Sequence, residues 1–119
     1  MATENALQTR SYPAGSDLSA SQYCFMKITG GQLAVASSGG LDAVGVLQDK
    51  PAAAGRAGAI AYGGTTKVLC GGSFSAGDAI TCDSSGKAVG AISGDGPRLG
   101  MAMEDGTSGK IASVLLDRG

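Results

Sequence analysis

The chain is 119 residues long, which is enough for one domain with a hydrophobic core, and it carries a net charge of −1. Its 9 basic and 10 acidic residues are spread along the sequence, so we expect no cationic surface of the kind that binds nucleic acid. The sequence contains no His, which excludes a Ser-His-Asp or Cys-His arrangement and removes the commonest metal ligand.

The hydrophobic core is expected to be lean. Gly accounts for 21 residues and aromatic residues for 4% of the chain, and Ala supplies much of the 43% hydrophobic content. Burying Ala removes less apolar surface from water than burying Leu or Phe. The composition therefore favours a protein that gains stability from a partner or from self-association.

Residues 1–20 form a polar segment, which we predict to be an extended arm with at most one short strand near residues 7–12. Its larger apolar side chains are Leu7, Tyr12 and Leu18. Apolar residues spaced along a polar strip favour a docked segment over a disordered one. We therefore hypothesise that the arm contacts a partner beyond its own domain through these three side chains.

From residue 21 onward, runs of apolar and β-branched residues alternate with Gly-rich turns. This pattern predicts one all-β domain over residues 21–119, a small β-sandwich or barrel-like fold of about nine short strands with no sustained helix. The predicted strands are residues 23–29, 32–36, 43–48, 57–62, 65–70, 79–82, 87–91, 99–103 and 110–116.

Two stretches share one pattern, VGVLQDKPAAAG at residues 44–55 and LGMAMEDGTSG at residues 99–109. Each continues through a cation into a second apolar strand. The repeat predicts two related halves, at about residues 23–64 and 78–117. We expect Gly45 and Gly100 to occupy equivalent scaffold positions in strands of the two halves.

No catalytic, metal-binding or cofactor-binding residues are predicted. The Asp residues beside Gly are expected to hydrogen-bond the backbone of turns. Neither a phosphate-binding Gly loop nor a nucleophile motif occurs. We therefore predict that the protein is not an enzyme and requires no cofactor.

Cys24, Cys70 and Cys82 are an odd number of cysteines at unpatterned spacing. We expect small buried thiols, and a Cys70–Cys82 bridge around a hairpin is the alternative. The sequence begins without a cationic and apolar secretion signal and has no apolar run of about 20 residues, so we expect synthesis and assembly in a cytoplasm.

The last predicted strand, residues 110–116, carries apolar or small side chains on both of its faces after Lys110. Such a strand is either central to a two-layer packing or partly covered by another subunit. The second possibility agrees with the lean core, because symmetric self-association would bury the remaining face.

The stretches LSASQYCFMKITGGQLAVAS (18–37), DAVGVLQDKPAAAGRAGAIAYGGTTKVLCGG (42–72), FSAGDAITCDSSGKAVGA (74–91) and LGMAMEDGTSGKIASVLL (99–116) cover nearly the whole chain. In this order they give the sequence a clear family likeness. It resembles the small tailed-phage capsid decoration proteins that are often called capsid cement proteins.

The resemblance implies a structural virion protein without enzymatic activity. Its expected partners are the major capsid protein of a tailed phage, whose subunits it would bridge, and further copies of itself, as a homotrimer or, alternatively, a dimer. The expected location is the outer capsid surface of the virion, after assembly in the host cytoplasm. Neither nucleic acid nor a membrane is an expected partner.

A β-sandwich module that binds a carbohydrate or another small ligand is the alternative function, because β-sandwiches commonly carry such sites. Sugar sites favour exposed aromatic side chains. The chain has five aromatic residues, which are Tyr12, Tyr23, Phe25, Tyr62 and Phe74. An enzyme that uses carboxylate or Ser chemistry without His is a more distant third.

Overall fold

A computed structural model describes residues 8–37, 42–90 and 98–116 of the chain. These ranges contain nine β-strands and no helix, which confirms the predicted all-β class and excludes a membrane-spanning helix there. The strands are β1 (Gln8–Pro13), β2 (Phe25–Thr29), β3 (Gln32–Val35), β4 (Gly45–Leu47), β5 (Ala57–Leu69), β6 (Ala79–Cys82), β7 (Ala88–Gly90), β8 (Gly100–Ala102) and β9 (Ile111–Leu116).

β5 is longer than the sequence pattern indicates. The predicted strands at residues 57–62 and 65–70 form one strand of 13 residues, so the expected end of a strand at Gly63 and Gly64 is wrong. Gly64 has a φ of 90°, a conformation that Gly adopts without a steric penalty. The strand can therefore change direction at this pair without ending.

The strands form a curled antiparallel sheet in the order β3-β2-β4-β5-β9-β8-β6-β7, and β1 pairs with β5 outside this path. Residues 57–63 of β5 pair with β1 and β4, whereas residues 64–69 pair with β9. β5 therefore belongs to two groups of strands. We call residues 8–63 the first unit and residues 64–116 the second unit.

The two units share one strand register. In the first unit Met26 lies opposite Gly45, and Val46 lies opposite Ala61. The corresponding pairs in the second unit are Ile80 with Gly100 and Met101 with Leu115. β1 corresponds to the second half of β5, because each pairs antiparallel with the last strand of its own unit. This register assigns a counterpart in the second unit to most residues of the first.

Backbone hydrogen bonds outside the strands follow the same repeat. The amide of Tyr23 donates to the carbonyl of Leu47 at 2.7 Å, and the amide of Gly77 donates to the carbonyl of Ala102 at 2.8 Å. Tyr23 and Gly77 are therefore counterparts, and both have positive φ, at 69° and 91°. The turn before β2 and β6 requires this left-handed conformation, which Tyr adopts only at a cost.

The buried apolar side chains form two clusters. The first-unit core consists of Ala14, Leu18, Cys24, Met26, Leu33, Leu47 and Ile60. The second cluster contains 11 residues of the second unit, which are Val68, Cys70, Phe74, Ile80, Cys82, Ala88, Leu99, Ala102, Ala112, Val114 and Leu116, together with Phe25, Ala36, Ala43, Val46 and Ala61 of the first unit. The two units therefore pack against each other through the larger cluster.

Gly45 in β4 and Gly100 in β8 lie at the same register position of the two units. A Cβ atom on Gly45 would lie 2.6 Å from the carbonyl oxygen of Ala61. A Cβ atom on Gly100 would lie 2.9 Å from Cγ1 of Val114 and against the carbonyl oxygen of Leu115. Each position admits only Gly because the neighbouring strand passes too close for a side chain.

Candidate interaction surfaces

An open groove of about 380 Å³ extends outward from the first-unit core. It is lined by Arg10, Tyr12, Ile28, Val44, Ile60 and Tyr62. Arg10 lies opposite Ile60 in the pairing of β1 with β5, and this pairing places Arg10 and Tyr12 beside Ile60 and Tyr62. Ile28 and Tyr62 are 37% and 39% exposed. The groove therefore presents apolar and aromatic surface to solvent.

Arg10 lies between the two tyrosines of the groove. Its Cζ atom lies 5.7 Å from the centroid of the Tyr62 ring, within the range of cation–π attraction. The Tyr62 and Tyr12 side chains raise the pKa of Arg10 above its ordinary value, because their nearby phenol oxygens favour the charged guanidinium. Tyr and Arg are enriched at the energetically dominant positions of protein interfaces, so this trio marks a candidate contact site.

In the second unit the counterparts of the groove residues are buried. They are Thr66, Val68, Cys82, Leu99, Val114 and Leu116, none more than 9% exposed. They lie at the contact between the units, which we call the junction. Phe25 of the first unit and Leu99 and Leu116 of the second line a small cavity there. Val44 and Tyr62 also reach this cavity, so they lie at the border between junction and groove.

On the first-unit side, the junction buries three outward-pointing residues of the central strands. Phe25, Val46 and Ala61 are at most 1% exposed. Their second-unit counterparts form what we call the outer face, and these are Ala79, Met101 and Leu115. Leu115 is 37% exposed and the other two are half-buried. The same register positions are thus covered in one unit and open in the other.

A turn in each unit shows the same asymmetry. The amide of Phe25 donates to the carbonyl of Gly86 at 2.7 Å, and a Cβ atom on Gly86 would meet Phe25 and Val35. Gly31 is the counterpart of Gly86 and shares its positive φ, yet a Cβ atom there would have open space around it. The β6–β7 turn therefore docks on the first unit, and the β2–β3 turn faces solvent.

A second depression, of about 350 Å³, is more polar. It is lined by Tyr23, Gln48, Thr65, Thr66, Lys67 and Ser113. The Gln48 amide donates to the hydroxyl of Thr66 at 2.9 Å and to the carbonyl of Val46 at 3.0 Å. These hydroxyl, amide and ammonium groups are the kind a sugar would contact. The left-handed conformation of Tyr23 is not a sign of such a site, because Gly77 has the same conformation in the corresponding turn of the second unit.

The three residues predicted for the arm have different surroundings. Leu7 lies outside the described residues. Tyr12 is half-buried in the groove. Leu18 is 4% exposed within the first-unit core, so its side chain is not available to a partner in this conformation. Residues 8–13 pair along β5 as β1, and contact of the arm with a partner stays a prediction.

Sequence reasoning did not select Arg10, Ile28 or Tyr62 for the groove. Ile28 and Tyr62 each stand two residues from a core residue of the same strand, Met26 and Ile60, and alternation places them on the same face. That periodicity was the available signal. Whether this face is open or covered depends on packing between the units.

The carboxylates of the described chain accept hydrogen bonds from backbone amides. Asp49 accepts from the amide of Ala59 at 3.1 Å, and its counterpart Glu104 accepts from the amide of Ser113 at 2.8 Å. Asp83 accepts from the amides of Ser85 and Lys87 in the β6–β7 turn at 2.9 and 3.0 Å. Among residues 8–37, 42–90 and 98–116, no group of three or more Cys, Asp or Glu side chains could hold a metal ion.

The three cysteines are buried and form no disulfide, so the Cys70–Cys82 bridge is not formed. Burial raises the pKa of the Cys24 and Cys70 thiols, because the thiolate form would lose its hydration. Their role in the described chain is packing, in the first-unit core and in the second cluster.

Two comparisons relate this architecture to known proteins. The model of a family described as phage cement protein matches residues 21–116. Among solved structures, the fold is similar to the N base of head fiber gp8.5 in bacteriophage phi29, with a TM-score of 0.71 and 16% sequence identity over 96% of this chain and 97% of that chain. No curated protein sequence matches the chain.

Proposed function

The chain belongs to the phage cement protein family, and from this membership we propose that it binds the outer surface of a phage capsid and bridges major capsid protein subunits. The observation that carries the proposal is the family match, which spans both units of the fold. The similarity to a phage head fiber base supports the fold on which it rests. In this proposal the protein is a structural component of the virion and not an enzyme, and it is assembled in the host cytoplasm.

Stabilisation of the shell follows from mass action. A ligand that binds only the expanded shell lowers the free energy of that state by about 2.7 kcal/mol per site at a free concentration 100 times the dissociation constant. Repetition over a lattice adds avidity, because an oligomer that engages several capsid subunits dissociates only when every contact is lost. We propose a homotrimer for this role, with a dimer as the alternative.

The test is co-sedimentation of the purified protein with expanded and with unexpanded capsids of a phage that encodes it. We expect binding to expanded capsids and a higher temperature of shell rupture at saturation. Failure to bind either form would overturn the proposal. Equal binding to both forms would overturn its restriction to the expanded state.

The arm is tested separately by a deletion that respects the fold. Removing residues 2–18 would also remove β1 and Leu18 from the first-unit core, so a loss of binding could reflect unfolding. Removing residues 2–7 leaves every described strand in place. We expect this shorter deletion to lower capsid occupancy, with Tyr12→Ala as a second variant. Undiminished capsid occupancy in both variants would show that the arm does not contribute to capsid binding.

A further inference from the structure

We propose that the groove of the first unit receives the outer face of the second unit from another copy of this chain. The inference rests on the self-association proposed above and is independent of capsid binding. The chain itself supplies the argument, because it already makes this contact once. At the junction, five of the six second-unit counterparts of the groove share one buried cluster with Phe25, Val46 and Ala61, which are the first-unit counterparts of the outer face.

Each chain therefore buries the groove counterparts of its second unit and the outer-face counterparts of its first unit at the junction. It leaves the groove of its first unit and the outer face of its second unit open. The groove leaves Ile28 and Tyr62 exposed at 37% and 39%, and the outer face leaves Leu115 exposed at 37%. These are three of the five large apolar side chains that are exposed in the described chain. A second copy is the occupant whose surface has the same strand register as the junction and an apolar side chain at each of the three positions.

The turn contact extends the same correspondence. At the junction the Gly86 carbonyl accepts a hydrogen bond from the amide of Phe25 at 2.7 Å. In the contact between copies, the Gly31 carbonyl of one copy would accept from the amide of Ala79 in the other. The outer face carries no charged residue, so its burial in the apolar part of the groove leaves no unpaired charge, and Arg10 keeps its two tyrosine partners at the rim.

A contact between two different surfaces is heterologous, and such contacts build a closed ring or an open filament. A ring of three copies would satisfy every groove and every outer face, in agreement with the proposed homotrimer. In this arrangement oligomerisation depends on the groove in the first unit and on the outer face in the second unit. A substitution in either surface should prevent it.

The experiment measures the mass of the purified protein by light scattering after size exclusion, without capsid. Leu115→Lys disables the outer face, and Ile28→Lys disables the groove away from the junction. Ile111→Lys is the matched control, because Ile111 lies in the same strand and is 45% exposed, while its counterpart Ala57 is exposed in the first unit. We expect wild type and the control to form the same oligomer and each disabled variant to have the 11.6 kDa of one chain.

Mixing the two disabled variants is the decisive step. One retains its groove and the other its outer face, so an equimolar mixture should form a species of twice the single-chain mass and nothing larger. A single-chain mass for wild type at tens of micromolar would overturn the proposal and leave the groove to the capsid or to residues 1–7. Full assembly of either variant, or no dimer in the mixture, would also overturn it. Leu115→Thr and Ile28→Thr replace the Lys variants if circular dichroism shows those to be unfolded.

Discussion

Substituting Ala for Gly45 or Gly100 tests the close packing of strands in both units. Each new Cβ atom would press on a backbone carbonyl of the next strand, at 2.6 Å from Ala61 O in the first unit. Overpacking of this kind costs about 1–3 kcal/mol. The lower entropy of the unfolded Ala variant offsets roughly 0.4–1 kcal/mol of that cost. We therefore expect each substitution to lower the free energy of unfolding by about 1–2 kcal/mol.

The assay is thermal unfolding followed by circular dichroism. A loss of that size lowers Tm by roughly 4–8 °C in a domain of this length. Gly72→Ala is the control, because its Cβ atom would lie 3.6 Å from Cγ1 of Val89, an ordinary contact, and we expect its Tm to stay the same or rise slightly. If Gly45→Ala or Gly100→Ala unfolds at the wild-type temperature, the close approach of the strands is not what selects Gly there.

Three further substitutions address the cores and the turns. Leu18→Ala should lower the free energy of unfolding by about 2–4 kcal/mol in urea unfolding, because Leu18 is 4% exposed in the first-unit core; a surface-like loss below about 0.5 kcal/mol would contradict its burial. Gly77→Ala should cost about 1–2 kcal/mol in the same assay, because φ is 91° there even though the space is open; an unchanged midpoint would contradict the conformation. The raised pKa of the buried Cys24 and Cys70 thiols predicts that their contribution to stability is full below pH 9.0 and is lost as the pH rises through their folded-state pKa, because the unfolded chain then releases more protons. Thermal unfolding between about pH 7 and pH 10 measures this, and the loss should be smaller in a variant with both Cys replaced by Ala.

The strand content could be predicted from the sequence because each strand is a short apolar run between Gly-rich turns. β9 is an example, since its alternation places Val114 in the core and Leu115 outside. The continuity of β5 could not be predicted in this way. A Gly pair usually ends a strand, but both halves of β5 pair with other strands, and the strand continues through Gly63 and Gly64.

The site was less accessible to sequence reasoning than the fold. The apolar pattern around Leu18 is the same for an arm that docks on a partner and for a segment that fills its own core. In the structure the segment fills its own core, because β1 pairs with β5 and Leu18, which follows β1, lies in the first-unit core. Similarly, nothing in the local sequence distinguishes Tyr62 at an open groove from its counterpart Leu116 at the junction.

The start of β1 and the end of β9 meet at the middle of β5. Gln8 lies opposite Gly63 and Leu116 lies opposite Gly64, so these residues are within about 10 Å of each other, twice the spacing of paired strands. A short linker could join them, and the chain could be opened instead at the exposed turn at Gly30, with every strand pair kept. The fold is thus defined by the cyclic order of its strands, and a circular permutant would encode the same molecule.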